Sequence, residues 1–303
     1  MDKNTQEIVE RIKKLKKKKR AIILVHNYQR PEVFKVADRI GDSLELCRFA
    51  KTTKAEIILF CGVNFMAESA KIINPQKKVL VPYLDAGCAM ADMVDRPALL
   101  KFRNKFPGAA IVTYVNSTAD VKAVSDVLCT SANAVNIVKA LPNKQIIFVP
   151  DKNLANFVSA RVPEKEIIPW DGYCPIHNVI DRDYFEEIKI KYPDAKILAH
   201  PESVNEILEI ADAIKSTSGM IEFSREDPAR DYFVFTECGM LDRLRNEVPG
   251  KNFYGVCNLC FDMKKNTLNS ILRCLEQERH EVLLDKMVID SARKSFNLMF
   301  ELT

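Results

Sequence analysis

The sequence predicts an α/β fold: three homologous three-layer αβα domains with parallel sheets, set around a pseudo-threefold axis. Three observations predict it. Strand-sized apolar runs alternate with helix-period segments along most of the chain, which is the pattern of parallel α/β architecture. One segment plan recurs three times, so internal repetition has to be explained before any motif. Four sets of polar or sulfur-bearing residues keep step with that plan, at intervals of 86 to 88 residues.

The elements follow in order. A helix over about residues 4–19 comes first, within an N-terminal segment 1–19, and runs into RIKKLKKKKR at Arg11–Arg20. That run's positive charges exceed the chain's whole net charge of +4, so the remainder is acidic on balance. Ile8, Ile12 and Leu15 fall on one face, and the lysines read as its solvated opposite. With no aromatics interleaved for base stacking, no nucleic-acid partner is expected. Each repeat then opens on a strand and polar pair: Ala21–His26 running to Tyr28, Ala110 to Asn116, and Lys196 to Glu202. A helix leads to Gly41-Asp-Ser43, Cys129-Thr-Ser131 or Lys215-Ser-Thr217. Second strands follow at Ile58–Phe60, Ile146–Val149 and Tyr232–Phe235, then a helix and a third strand ending near a cysteine. The chain thus reads as a triplicated βαβαβ unit over residues 20–105, 106–192 and 193–270. Residues 271–303 are helical in pattern and are expected to pack back on the first repeat, against the N-terminal helix.

The registers are what locate the chemistry. His26, Tyr114 and His200 correspond; so do Tyr28, Asn116 and Glu202, then Ser43, Ser131 and Thr217, and finally Cys88, Cys174 and Cys260, 86 residues apart. All fall at strand carboxyl ends or helix starts, where parallel α/β units bind ligands. Around a threefold axis these ends meet in one central cavity.

At 303 residues and 47% hydrophobic content the chain can bury a sizeable core. Its longest apolar runs, Ile22–Val25 and Ile57–Phe60, fall far short of the ~20 residues of a membrane span. The charged stretch after Met1 argues against a secretory signal, so a cytoplasmic protein without a membrane partner is expected. In that reducing compartment nine cysteines are packing residues, ligands or redox groups rather than a disulfide framework. Cys47, Cys61, Cys129, Cys238 and Cys274 read as packing, and His280 as solvent-facing on a charged helix.

Three thiolates from Cys88, Cys174 and Cys260 are one short of the four that saturate a [4Fe–4S] cluster. One iron would remain open to substrate as a Lewis acid. Zinc on three cysteines with His177 as fourth ligand is the competing reading; the wide ligand spacing favours the cluster. Gly255-x-Cys257 echoes Gly172-x-Cys174 and nominates Cys257 for the third position, whereas the repeat interval nominates Cys260.

These residues resemble the quinolinate synthase family, the A proteins of de novo NAD biosynthesis, from Ala21 to about Leu272. The resemblance rests on His26-Asn-Tyr28, Gly41-Asp-Ser43, Gly62-Val-Asn-Phe-Met-Ala-Glu68, Gly87-Cys88, Thr113-Tyr-Val-Asn116 and Cys129-Thr-Ser-Ala-Asn133. It continues through Pro150-Asp-Lys-Asn-Leu154, Cys174-Pro-Ile-His177, His200-Pro-Glu202, Ser216-Thr-Ser-Gly-Met220, Thr236-Glu-Cys-Gly-Met240 and the segment from Cys260 to Leu268. The chain departs from the family at Phe261, where proline is usual. The resemblance implies condensation of iminoaspartate with dihydroxyacetone phosphate to quinolinate, phosphate and water, at a [4Fe–4S] cluster held by Cys88, Cys174 and Cys260. Transient contact with the aspartate oxidase or dehydrogenase that supplies iminoaspartate follows as a possible partnership.

Within that implied reaction, His26, Ser43, Ser131 and Thr217 would bind substrate carboxylates or phosphate, each hydroxyl being by itself an ordinary N-cap candidate. Tyr28, Glu202 and His200 would move protons, with His200 and Glu202 also binding substrate. Tyr114 and Asn116 would orient the intermediate, and His177 would contact a carboxylate or phosphate. Two other triplicated cluster enzymes, the diphthamide-synthesis radical enzyme and hydroxymethylbutenyl diphosphate reductase, share the cysteine plan but use it for electron transfer; the His26 and His200 pairs fit them less well. A metal-binding sensor is a third possibility, for which the sequence supplies no recognition helix.

Overall fold

A computed structural model describes residues 3–179, 182–256 and 258–303. Its strands form three parallel sheets of one design. The first holds β1 (Ala21–His26), β2 (Arg39–Gly41), β3 (Ile57–Cys61) and β4 (Lys78–Leu80), in the order β2-β1-β3-β4. The second holds β5 (Ala110–Tyr114), β6 (Val127–Cys129), β7 (Gln145–Val149) and β8 (Glu166–Pro169), ordered β6-β5-β7-β8. The third holds β9 (Lys196–Ala199), β10 (Ala213–Ile214), β11 (Asp231–Phe235) and β12 (Asn252–Gly255), ordered β10-β9-β11-β12.

The repeat therefore carries four strands, which corrects the expected βαβαβ unit. The additional strands β2, β6 and β10 span only two or three residues, too few to show any alternation in sequence. A recurrent aspartate ties each one down. Asp38, Asp126 and Asp212 accept the backbone N–H of Ile23, Ile111 and Ile197, each at 2.7 Å, from the neighbouring first strand.

Side chains alternate across each sheet and feed helix-covered cores on both faces. In the first sheet Ile23 and Val25 point to a core with Val9 and Ile12 of the helix Lys3–Lys18 and with Ile271 and Leu275 of the helix Leu268–Gln277. Leu24 points to the opposite core, which continues into Leu198, Tyr232 and Val234 of the third sheet. Complete burial of such a side chain contributes about 1.5–3 kcal/mol, so the shared core binds repeats 1 and 3 firmly.

The C-terminal segment divides. Leu268–Gln277 packs on the N-terminal helix as expected. The helix Lys286–Glu301 instead lies across β6 and the helix Ala119–Lys122 of repeat 2 and the helix Asn64–Ile73 of repeat 1. Its apolar stripe of Ala292, Phe296 and Met299 enters the core of repeat 2, so it seals the seam between those two repeats. His280 is likewise not on a helix face. The preceding helix ends at Gln277 with Glu278 left-handed, and His280 sits half-buried in the turn with a φ of 64°. No helix among the described residues is long and apolar enough to cross a membrane.

Candidate active site

The three sheets aim their carboxyl ends at one cavity of about 210 Å³, lined by residues of all three repeats that the sequence singled out. His26, Tyr28, Ser43 and Cys88 come from repeat 1; Tyr114, Asn116, Ser131, Cys174 and His177 from repeat 2; His200, Glu202, Thr217 and Cys260 from repeat 3.

Repeats 1 and 3 end their first strand with the same device. The chain turns back, with Gln29 N–H donating to the His26 carbonyl at 3.0 Å and Ser203 N–H to that of His200 at 2.9 Å. Inside each turn the histidine Nδ1 accepts a backbone N–H two residues on, from Tyr28 at 3.2 Å and from Glu202 at 3.4 Å. An Nδ1 that accepts leaves the proton on Nε2. Burial, above all, lowers both histidines to about 3, so each is a neutral Nε2–H donor at pH 7.

From this base a hydrogen-bond chain crosses all three repeats. Tyr28 Oη lies 2.6 Å from Thr236 Oγ1, which lies 2.8 Å from His177 Nε2. His177 Nδ1 is 2.7 Å from Glu202 Oε2, and Tyr114 donates its hydroxyl to Glu202 Oε1 at 2.5 Å. The His177 and His200 rings stack at 4.8 Å. Burial by itself raises the Glu202 carboxyl, but His177 beside it and the hydrogen bonds from His177 and Tyr114 outweigh it and hold the group at about 2. Burial, reinforced by the Glu202 charge, pushes Tyr28 and Tyr114 well above the usual phenol range. At neutral pH this hydrogen-bond chain thus holds the Glu202 carboxylate between protonated phenols. Thr236, the bridge of this chain, escaped the sequence reading because it has no counterpart in the repeat registers.

The hydroxyls occupy a different wall. The helices Ser43–Thr52 and Thr217–Glu226 are capped by the preceding residues, Asp42 and Ser216, whose side chains accept the N–H of Glu45 and Gly219. Ser216 also donates to Asp42 at 3.1 Å, joining the two helix starts. Ser43 and Thr217 are therefore first helical residues rather than caps. Thr217 accepts from Asn27 Nδ2 at 2.9 Å. In the same cavity, Asn116 Oδ1 is buried with no hydrogen-bond partner among the described residues. Two helix N-termini beside hydroxyls make this wall suited to anions.

The cysteines sit in three matching corners. Residues 64, 152 and 238, each opening a helix, donate a backbone N–H to the carbonyl two residues before the cysteine: Asn64 to Ala86 at 2.8 Å, Lys152 to Gly172 at 2.8 Å and Cys238 to Asn258 at 3.0 Å. Nearby backbone N–H groups, among them those of Ala91, His177 and Met263 three residues on, favour each thiolate, and His177 Nδ1 lies 3.2 Å from Cys174 Sγ. Burial raises all three thiols, Cys88 to about 12. Gly239 makes room for the third corner, since a Cβ there would lie 2.8 Å from the Tyr28 carbonyl oxygen. Cys257 lies outside the described residues, while Cys260 lines the cavity. Cys47, Cys61, Cys129 and Cys274 are buried packing residues. Among the described residues, the metal-type donors within 4.8 Å of one another are those of Cys174, His177 and Glu202. The three cysteine sulfurs are not gathered so tightly.

A family model described as "Quinolinate synthetase A protein" matches residues 10–301. A quinolinate synthase of Alkaliphilus metalliredigens is 45% identical over 301 residues, covering 99% of each chain. One from Thermodesulfovibrio yellowstonii is 48% identical over 296 residues, 97% of this chain and 98% of that one. One from the archaeon Methanosarcina barkeri is 47% identical over 295 residues, 97% of each.

Proposed function

The chain belongs to the quinolinate synthetase A protein family of NAD biosynthesis, and on that premise we propose that it condenses iminoaspartate with dihydroxyacetone phosphate, giving quinolinate, phosphate and water. The observation that carries this reading is the meeting, in one cavity, of an anion-binding wall, a three-repeat hydrogen-bond chain and three equivalent thiols.

The donor set fits a [4Fe–4S] cluster. Around one zinc, thiolates at 2.3 Å would stand about 3.8 Å apart, whereas Cys88, Cys174 and Cys260 are not grouped within 4.8 Å. A cluster gives each thiolate its own iron, and nearby backbone N–H groups that favour the thiolates suit such a ligand set. Held by these cysteines, it would supply a Lewis-acidic iron, free of protein ligands, for the dehydrations.

The chain's own residues do the rest. Ser43, Ser131 and Thr217 bind carboxylate or phosphate oxygens, with His26 and His200 donating from Nε2. Asn116 orients the intermediate. Glu202 is the base, and Tyr28, reached through Thr236 and His177, returns the proton as acid. Tyr114 keeps Glu202 aligned. His177 relays between them without needing a metal of its own. Iminoaspartate is unstable in water, which favours transient contact with the oxidase or dehydrogenase that makes it. Eight free thiols among the described residues suit the reducing cytoplasm.

Anaerobic reconstitution with iron and sulfide, followed by a quinolinate assay without reductant or S-adenosylmethionine, tests the proposal. Activity that appears with the cluster and vanishes in Cys260→Ala is expected. Full activity in cluster-free protein would sink it.

A further inference from the structure

Two buried carboxylates stand beside the cysteines, Glu237 in the cavity wall and Asp151 outside its lining, and the chemistry above leaves them unused. Asp151 follows β7 and Glu237 follows β11, both 1% exposed or less. They are 86 residues apart, the repeat interval, and each precedes its cysteine by 23. Asp151 Oδ1 accepts Leu154 N–H at 2.7 Å, and its Oδ2 accepts the N–H of Cys174 at 3.1 Å. Glu237 repeats the fork: Oε2 accepts Gly239 N–H at 2.8 Å, and Oε1 accepts the N–H of Cys260 at 3.2 Å. Lys264 Nζ lies 3.0 Å from both Glu237 oxygens. In repeat 1 the corresponding residue is Val63, and Asn64 Nδ2 instead holds the Leu84 carbonyl at 2.6 Å.

We infer that Asp151 and Glu237 are positioning residues for Cys174 and Cys260, each clamping its cysteine's own backbone N–H to the start of the adjacent helix. The inference rests on the reading that these cysteines hold a cluster. A carboxylate is the one side chain of this size with two oxygens that both accept. An amide in its place turns an NH₂ toward one of the two backbone N–H groups and leaves that donor unpaired in the interior. The cysteine then loses its tether to the strand end, although nothing that touches the metal has changed. Burying a carboxylate is costly, and each of these two accepts a backbone N–H on both oxygens at the place where a sulfur must be held still.

The test compares wild-type protein with Asp151→Asn and Glu237→Gln after anaerobic reconstitution. The control is Asp95→Asn, the same carboxylate-to-amide change at a helix cap (Ala98 N–H to Asp95 Oδ1, 2.7 Å) for which no bond to a cysteine N–H is found among the described residues. Iron and sulfide content, the rate at which a chelator bleaches the cluster, and its electron paramagnetic resonance after reduction are the readouts. Bleaching about tenfold or more faster is expected in the first two variants, with altered resonance spectra, while Asp95→Asn bleaches like wild type. Wild-type iron content and bleaching in Asp151→Asn and Glu237→Gln would overturn the inference, as would equal damage from Asp95→Asn. Wild-type protein that takes up no iron would overturn the cluster reading and this inference with it. Hydrogen exchange on the wild type needs no folded variant: the Cys174 and Cys260 amides should be protected like core strands, and free exchange at either contradicts the clamp.

Discussion

The cysteine corners and the first-strand ends stand side by side in every repeat, yet repetition survives in one and not in the other. At the corners, three cysteines share one main-chain tether and a nearby backbone N–H, three residues on, that favours the thiolate. At the first-strand ends, the same fold position carries His26 with Tyr28, Tyr114 with Asn116, and His200 with Glu202. A ligand alike from three sides asks for equal arms. An unsymmetrical substrate asks for unequal ones. The fold supplies the positions three times, and the chemistry decides whether the residues stay the same.

Breaking the unequal region should leave the equal one intact. The largest effect is expected from Glu202→Gln, which keeps the volume but removes the carboxylate between Tyr114 and His177. Loss of the base should lower kcat about 10²- to 10⁴-fold, with iron content unchanged; steady-state kinetics and iron analysis on the same sample check both halves. Activity near wild type would remove Glu202 from proton transfer. Ser43→Ala probes the anion wall more gently. One hydrogen bond to a charged group contributes about 1.5–3 kcal/mol, so KM for dihydroxyacetone phosphate or iminoaspartate should rise roughly tenfold or more while kcat changes little. A fall in kcat with constant KM would place Ser43 in the chemistry instead of in binding.

The same contrast explains what the sequence disclosed. The 86-residue register exposed the cysteines, histidines and hydroxyls because each is a chemically distinct residue at a strand or helix end. It also held Asp38, Asp126 and Asp212, and Asp151 with Glu237, but acidic residues are too common in surface positions to stand out without coordinates. The strands β2, β6 and β10 were hidden by their length. Thr236 was hidden because it serves one repeat only. The caps fell one residue before the matched hydroxyls, at Asp42 and Ser216, since a hydroxyl facing a cavity cannot also fold back on its own helix. The final helix kept its amphipathic pattern, but a pattern names a face and not the surface that covers it, so its place on repeat 2 was not legible.

Repeat 2 departs from its sisters once more, away from the cavity. Lys122 stands at the register of Phe34 and Leu208, which are apolar and partly buried. It is fully buried, donates to the Ser117 carbonyl and lies 5.4 Å from the Phe65 ring centroid. Burial lowers its ammonium from 10.5 to about 8, partly offset by Glu68. Below pH 8 the folded protein must keep this buried charge. Between 8 and 10.5 the unfolded chain still binds a proton that the folded one has released, so stability rises with pH across that window. Lys122→Met removes the group and should flatten the rise. Urea unfolding near pH 8 and near pH 10 should show wild type gaining about 2 kcal/mol relative to the variant, with quinolinate formation little altered. An identical pH dependence in the two proteins would mean that Lys122 stays protonated throughout, and that repeat 2 has exchanged an apolar core position for a permanently buried charge.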